Sequence, residues 1–142
     1  MPDIHHRIQV AARLNVAMNL VAGGPRFERW WAEDVVTEAD GRVTLGFFNR
    51  ATIYRLRLLE QRPEAVSWRC ESGDEWHETE LRFGIQSGRE GVLLDFVHAG
   101  WRNETPYFTS CNTTWGELMF RLKAEAEGKP RGPLFRRASL AY

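Results

Sequence analysis

Residues 3 to 11 alternate in character. Ile4, His6, Ile8 and Val10 fall on one face and His5, Arg7 and Gln9 on the other, which is the period-2 pattern of a half-buried strand. From 13 to 21 the spacing of Leu14, Met18 and Val21 becomes helical. Gly23-Gly24-Pro25 breaks that run, and Pro25 suits the first turn of a second short helix ending around Trp30-Trp31. Beyond Trp31 the punctuation is that of a meander. Val35-Val36 leads into a hairpin turn at Asp40-Gly41, and Val43, Leu45 and Phe47 alternate in the next strand. Residues 51 to 60 form another, with Ile53, Leu56 and Leu58 partly breaking the alternation. After the turn Arg62-Pro63-Glu64, Val66, Trp68 and Cys70 share a face. Residues 77 to 85 direct Leu81, Phe83 and Ile85 inward against the polar set Thr79, Glu80 and Arg82. Ser87-Gly88-Arg89-Glu90-Gly91 turns the chain again, and Val92 to Val97 completes a sheet of roughly seven strands. The links are only a few residues long, so the strands are mostly antiparallel.

Thr105-Pro106 then starts a helix. The threonine can accept from the first free N–H groups, and the proline lacks one. Phe108, Cys111, Trp115, Leu118, Met119, Leu122 and Ala126 recur on one stripe, with Gly128 at the C-terminal cap and Pro130 beyond. At 1.5 Å per residue such a helix is about 33 Å long, enough to cross a small domain. The fold class is therefore α+β: a curved antiparallel sheet wrapped around one long C-terminal helix, with two short helices after the first strand. Residues 1 to 128 form one domain. Residues 129 to 142, with Arg131, Arg136 and Arg137, read as a basic and loosely held tail.

Composition narrows the functional classes. The chain has 142 residues, with 19 Lys plus Arg against 19 Asp plus Glu, a balance that offers no electrostatic argument for nucleic acid or a membrane surface. Six Trp, eight Phe and three Tyr can either fill a core or line an apolar cavity. Cys70 and Cys111 make no disulfide framework, and no Cys/His spacing points to zinc. The N-terminus lacks a signal-peptide pattern, and no apolar run reaches the ~20 residues of a membrane span, so a reduced cytoplasmic protein is expected.

Three segments carry a resemblance: Arg29-Trp30-Trp31, Phe96-Val97-His98-Ala99-Gly100-Trp101, and Cys111-Asn112-Thr113-Thr114-Trp115-Gly116. In that order, over about residues 3 to 128, the chain resembles the START-like (SRPBCC) helix-grip superfamily. Within it, the chain is similar to the homologues of the activator of heat-shock protein 90 ATPase. The resemblance implies a hydrophobic cavity between sheet and helix, which in various members holds lipids, sterols, polyketides or plant hormones. Some members are aromatases or cyclases, some bind and carry, and one branch stimulates the chaperone ATPase. The first helix in the group often starts at a proline-containing turn and bears an aromatic residue. Ala11-Ala12-Arg13-Leu14-Asn15 has neither, which bears on the cavity mouth. The chaperone-stimulating proteins carry a separate N-terminal domain, for which this chain is expected to have no room.

Candidate chemistry is sparse. His98 ends a strand among apolar neighbours. It can face the cavity as a hydrogen-bonding or acid/base group, or tie the last strand to the long helix through a backbone carbonyl. Asn112 flanks the helix stripe, with its amide satisfied by protein, water or ligand, and Cys111 lies on the stripe with no adjacent cation to lower its pKa. Trp68 and Trp115 are expected to meet inside, and Tyr54 to offer a polar handle. The candidate ligand-contacting set is Tyr54, Trp68, Phe83, His98, Trp101, Phe108, Cys111, Asn112, Trp115 and Leu118. No catalytic set, metal site or cofactor is expected: the histidines are scattered, Gly23-Gly24-Pro25 lacks the features of a phosphate loop, and no serine sits in a nucleophile elbow. Glu71, Asp74, Glu75, Glu78 and Glu80 form an acidic run around a turn, read either as a solvated edge or as a docking surface for a basic partner. The readings, in order, are binding of a small apolar or aromatic ligand such as a lipid or polyketide, interaction with a protein partner such as a chaperone, and a cyclase or dehydratase using His98.

Overall fold

The computed structural model describes residues 1–137. The Asp40-Gly41 turn joins β2 (Asp34–Thr37) to β3 (Val43–Phe47), and short links continue the meander through β4 (Thr52–Arg62), β5 (Ala65–Cys70), β6 (Glu80–Gly88) and β7 (Gly91–Ala99). The first strand, β1 (Ile4–Val10), pairs with the last. Its register runs from Ile4 opposite His98 to Val10 opposite Val92. The result is one seven-stranded sheet in the order β1-β7-β6-β5-β4-β3-β2, with every neighbour antiparallel. Strand alternation decides which side chains face inward: Val66, Trp68 and Cys70 from β5, Leu81, Phe83 and Ile85 from β6, and Val92, Leu94, Phe96 and His98 from β7 are all buried.

The broken alternation expected in 51–60 is a β-bulge between Leu58 and Glu60, where one extra residue shifts the register against β5. Ahead of the bulge, Tyr54 and Leu56 point inward, which leaves Ile53 on the exposed face. A second correction concerns Thr79, placed above in the outward polar set. It precedes β6 in phase with Leu81 and Phe83 and is buried.

Two short helices follow β1: α1 (Leu14–Asn19) and α2 (Gly24–Phe27), the latter with Pro25 in its first turn. They bring Phe27, Trp30 and Trp31 over one end of the sheet, where all three are buried. The long helix α3 (Pro106–Ala126) lies across the concave face and buries Cys111, Trp115, Leu118, Met119 and Leu122. Its start is the predicted cap: Thr105 Oγ1 accepts from the Phe108 N–H at 3.2 Å and donates to the Glu75 carboxylate. Gly128, just past the helix, has φ +79°, the left-handed conformation that glycine adopts without strain. Replacing Thr105 with Ala removes the cap and the tie to the 71–78 loop. A loss of about 1–2 kcal/mol is expected in urea denaturation, and an unchanged midpoint would show that neither bond contributes.

The segment after α3 corrects the expectation of a loosely held tail. Phe135 is buried and forms a parallel bridge with Ala32. Its N–H donates to Trp31 O at 3.0 Å, and its carbonyl accepts from Glu33 N at 2.8 Å. Arg121 Nη1 donates to the carbonyls of Arg131, Gly132 and Pro133 at 3.4, 3.1 and 3.2 Å. Arg131, Arg136 and Arg137 are thus part of, or flank, a strap returning across the domain; residues 138–142 of the expected tail lie outside the described residues.

Candidate functional site

His98 sits on an otherwise apolar strand face, where an unpaired polar group would be costly, and the structure pairs both of its ring nitrogens. Trp115 Nε1 lies 3.1 Å from Nδ1, and an indole N–H can only donate, so Nδ1 is the acceptor. The ring proton is therefore on Nε2, which donates to Thr79 Oγ1 at 2.8 Å. Thr79 in turn donates its hydroxyl to Trp76 O at 2.6 Å. Burial with no charged partner pushes the imidazole pKa down to about 3, so His98 stays neutral at physiological pH. It joins β7, the 71–78 loop and α3, and its ring packs against Trp76 and Trp101 at 4.6 and 4.8 Å. Of the two roles open to it from the sequence, it takes the tie to the long helix, but through the Trp115 indole and not a backbone carbonyl, because a bare imidazole nitrogen accepts and a carbonyl cannot donate to it. It does not line the cavity described next.

The cavity, of about 50 Å³, opens where α3 passes the β3–β4 end of the sheet. Trp31, Trp76 and Trp115 form its inner wall. Tyr54 lies flat on Trp76, with centroids 3.9 Å apart and planes 4° apart. Trp115 is nearly parallel to Trp76 at 6.0 Å, and Trp31 meets Trp115 at 5.1 Å. The helix adds Cys111, Thr114 and Leu118, and the mouth is formed by Phe47, Phe48, Thr52, Tyr107 and Phe135. A drug-sized ligand needs roughly 300–1,000 Å³; here the aromatic rings occupy most of that space themselves.

The polar inventory of this cavity is small. The Tyr54 and Tyr107 hydroxyls pair with each other. Burial, reinforced by that pairing, raises the Tyr54 pKa, so the phenol stays protonated. Burial pushes the Cys111 thiol up to about 11, which makes it a poor nucleophile. Trp76 lies beside Cys111, yet its Nε1–H finds no partner of hydrogen-bonding geometry, and the buried Thr114 Oγ1 has none either.

The mouth is built from two unusual segments. Phe48, Asn49 and Arg50 have φ of 53°, 55° and 66°, a left-handed run without glycine. Such a residue other than Asn costs on the order of 1–2 kcal/mol. The run is tied down by Arg50, whose guanidinium meets the Asp34 carboxylate at 2.8 Å. Asp34 also faces Arg137 of the C-terminal strap at 3.8 Å. Gly46, opposite Asp34 in the ladder, leaves room for this carboxylate; a methyl group there would collide with it.

Of the residues expected to contact ligand, Tyr54, Cys111, Trp115 and Leu118 line the cavity. The others lie elsewhere. Trp68 donates to Val21 O at 2.9 Å and packs on Phe27, with no ring contact to Trp115. Phe83 packs on Phe96, and Trp101 packs edge-to-face against Phe108, beyond His98. Asn112 is exposed, and its carbonyl lies 3.2 Å from His6 Nε2. Residues missed by the sequence reading include Trp31, Trp76, Thr114 and Phe135. Thr114 follows Asn112 and Thr113 within a quoted motif, and its i+3 relation to Cys111 could have identified it. Trp76 sits in a loop read only for its acidic charge, and Phe135 in a segment read only for its arginines. Among the described residues no cluster of three His, Cys, Asp or Glu could hold a metal ion, and no helix is long and apolar enough to cross a membrane.

No protein-family profile matches the chain, and no curated protein matches it either. Solved structures do. The solution structure of the Aha1 dimer from Colwellia psychrerythraea aligns with TM-score 0.80 at 21% identity, covering 91% of this chain and 98% of that one. A protein from Mesorhizobium loti aligns with TM-score 0.73 at 11% identity over 86% of this chain and 94% of its own. A START superfamily protein from Mycobacterium smegmatis aligns with TM-score 0.66 at 15% identity over 89% and 97%. Identities this low speak to architecture alone. With the meander, the two short helices and the gripped C-terminal helix already in place, the architecture is the START-like helix-grip fold.

Proposed function

We propose that this protein binds a small aromatic molecule carrying one hydrogen-bond acceptor, with the ring among Trp31, Trp115 and Tyr54 and the acceptor at Trp76 Nε1 and Thr114 Oγ1. The observation that carries this reading is the pair of buried polar atoms left without partners on residues lining one apolar cavity. Buried donors are rarely left unpaired, and each such case calls for a reason. Trp101 Nε1 is also unpartnered, but it lies off the cavity and gives no second site. An open groove of about 360 Å³ shares Thr52, Tyr54 and Tyr107 with the cavity and provides an approach from solvent. The START-like fold supports the reading, because the resemblance places ligands between sheet and helix. With His98 neutral, buried and off the cavity, binding is favoured over catalysis.

The test is an NMR titration of the folded protein with acetophenone and with ethylbenzene, its counterpart lacking the acceptor. Acetophenone is expected to shift the Trp76 indole resonance saturably while the Trp68 indole, already bonded to Val21 O, stays still. Ethylbenzene should bind roughly tenfold more weakly, the equivalent of one hydrogen bond of about 1.4 kcal/mol. Equal affinities would remove the polar half of the proposal; the absence of saturable shifts with either compound would remove all of it.

A further inference from the structure

We infer that the ligand of this cavity also carries a positive charge, an ammonium group held in the adjoining groove by Asp74 and Glu75. This rests on the ligand reading above for the ring alone. The cavity, about 50 Å³, lies well under the roughly 300–1,000 Å³ of ordinary ligand pockets. A molecule that reaches Trp76 Nε1 must therefore extend outward. The groove of about 360 Å³, which shares Thr52, Tyr54 and Tyr107 with the cavity, gives it the room. The only charged side chains lining that groove are the neighbouring carboxylates of Asp74 and Glu75.

The acidic run around this loop divides in two. Glu71 is neutralised by Arg42 and Arg57, and Glu80 by Arg69 and Arg82. Asp74 and Glu75 make no ion pair among the described residues. Their place at the groove is fixed by the loop. Gly73, at φ +94°, lies so close to the Tyr54 ring that a methyl group would collide with it, which sets the two carboxylates beside that ring. The His77 N–H donates to Gly73 O at 3.1 Å, and Ser72 Oγ accepts from the Arg55 N–H of β4 at 2.9 Å. Glu75 accepts from Thr105 with Oε1, which leaves Oε2 open. An acidic pair alone marks no site. Here the next residue, Trp76, is 4% exposed, and its Nε1–H stands unpartnered at the wall of the cavity that runs into the groove. The donor for an acceptor group and the carboxylates for a cation thus lie along one continuous path. An ammonium suits the outer end, because it brings several N–H donors and no acceptor. With the ring and the charge on one molecule, the ligand class is an aralkylamine.

The test compares para-acetylbenzylamine with para-ethylacetophenone, its neutral counterpart of nearly the same shape, by NMR titration of the full chain. Both should move the Trp76 indole resonance. The amine should bind about fivefold more tightly, the factor for a partly exposed ion pair, and high salt should erase most of that advantage. In the double variant Asp74→Asn, Glu75→Gln the ratio of the two affinities should fall to about one, since neither amide carries charge. Asp74→Asn alone, at an exposed position, should bring the ratio to about twofold. This keeps the test decisive if the double variant folds poorly. An amine that binds no more tightly than the ketone, or a preference that survives in the double variant, would overturn the charged ligand. If the ketone gives no saturable shift while the amine still binds through Asp74 and Glu75, the ring reading fails and the cation site stands. If the amine is silent as well, both fall.

Discussion

Lowering the pH from 7.5 to 5.0 is expected to cost this protein about 2 kcal/mol of folding stability through His98 alone. The imidazole has an ordinary pKa of 6.5 in the unfolded chain and about 3 when buried between Trp115 and Thr79. Between those values the unfolded state binds a proton that the native state refuses, so stability falls as pH falls through this window. The contribution is intact above 6.5 and fully lost near 3, a total of roughly 5 kcal/mol at about 1.4 kcal/mol per unit. The depressed carboxylates Glu38, Asp40, Glu71 and Glu127, each beside an arginine or lysine, act in the same direction only below their ordinary pKa of 3.8 to 4.5. The window above pH 5 therefore isolates the histidine. His98→Asn keeps an acceptor for the Trp115 indole and does not titrate. Urea denaturation at the two pH values should show the loss in the parent protein and a nearly flat response in the variant. The same drop in both would mean that His98 is not held neutral in the native state.

Trp115→Ala is expected to cost about 5 kcal/mol, enough to leave a typical domain partly unfolded at 25 °C. The indole is 1% exposed and packs on Phe96 at 4.2 Å, Trp31 at 5.1 Å and Trp76 at 6.0 Å, so truncation opens a large hole on the inner side of α3. It also strips His98 Nδ1 of its donor, leaving a buried acceptor unpaired at a further ~1–3 kcal/mol. Trp115→Phe separates the two effects by keeping ring contact and deleting the N–H, for an expected loss of about 2 kcal/mol. A double-mutant cycle with His98→Ala should return a coupling of about 1 kcal/mol or more, since the two residues share one bond. Chemical denaturation of the four proteins decides it. A loss under about 1 kcal/mol for Trp115→Ala would show that the core rearranges to fill the gap.

The elements were legible because each carries its own local signal. The Asp40-Gly41 turn, the period-2 faces of β5 to β7 and the Thr105-Pro106 start of α3 are all short-range patterns, and the structure has them in place. The candidate site was legible only in part. Tyr54, Cys111, Trp115 and Leu118 reach the cavity because strand phase and helix stripe already direct them inward. Trp68, Phe83 and Trp101 are buried equally well and Phe108 is half-buried, yet phase says only that a side chain is inside and not which neighbour it meets. Asn112, one step off the stripe, turned to solvent.

The sequence by itself determined the strand phases, the hairpins, the capped helix and hence a sheet that must close on a helix, because these follow from periodicities and turn preferences a few residues long. The tertiary structure alone decided which nitrogen of His98 carries the proton, that Trp31, Trp76 and Trp115 fill the grip, and that Phe135 returns to its mouth. Those outcomes depend on partners far apart in the chain, such as His98 with Thr79 and Trp115, or Asp34 with Arg50 and Arg137. No local pattern encodes them: they arise when buried polar groups must find partners and aromatic rings must share one limited volume.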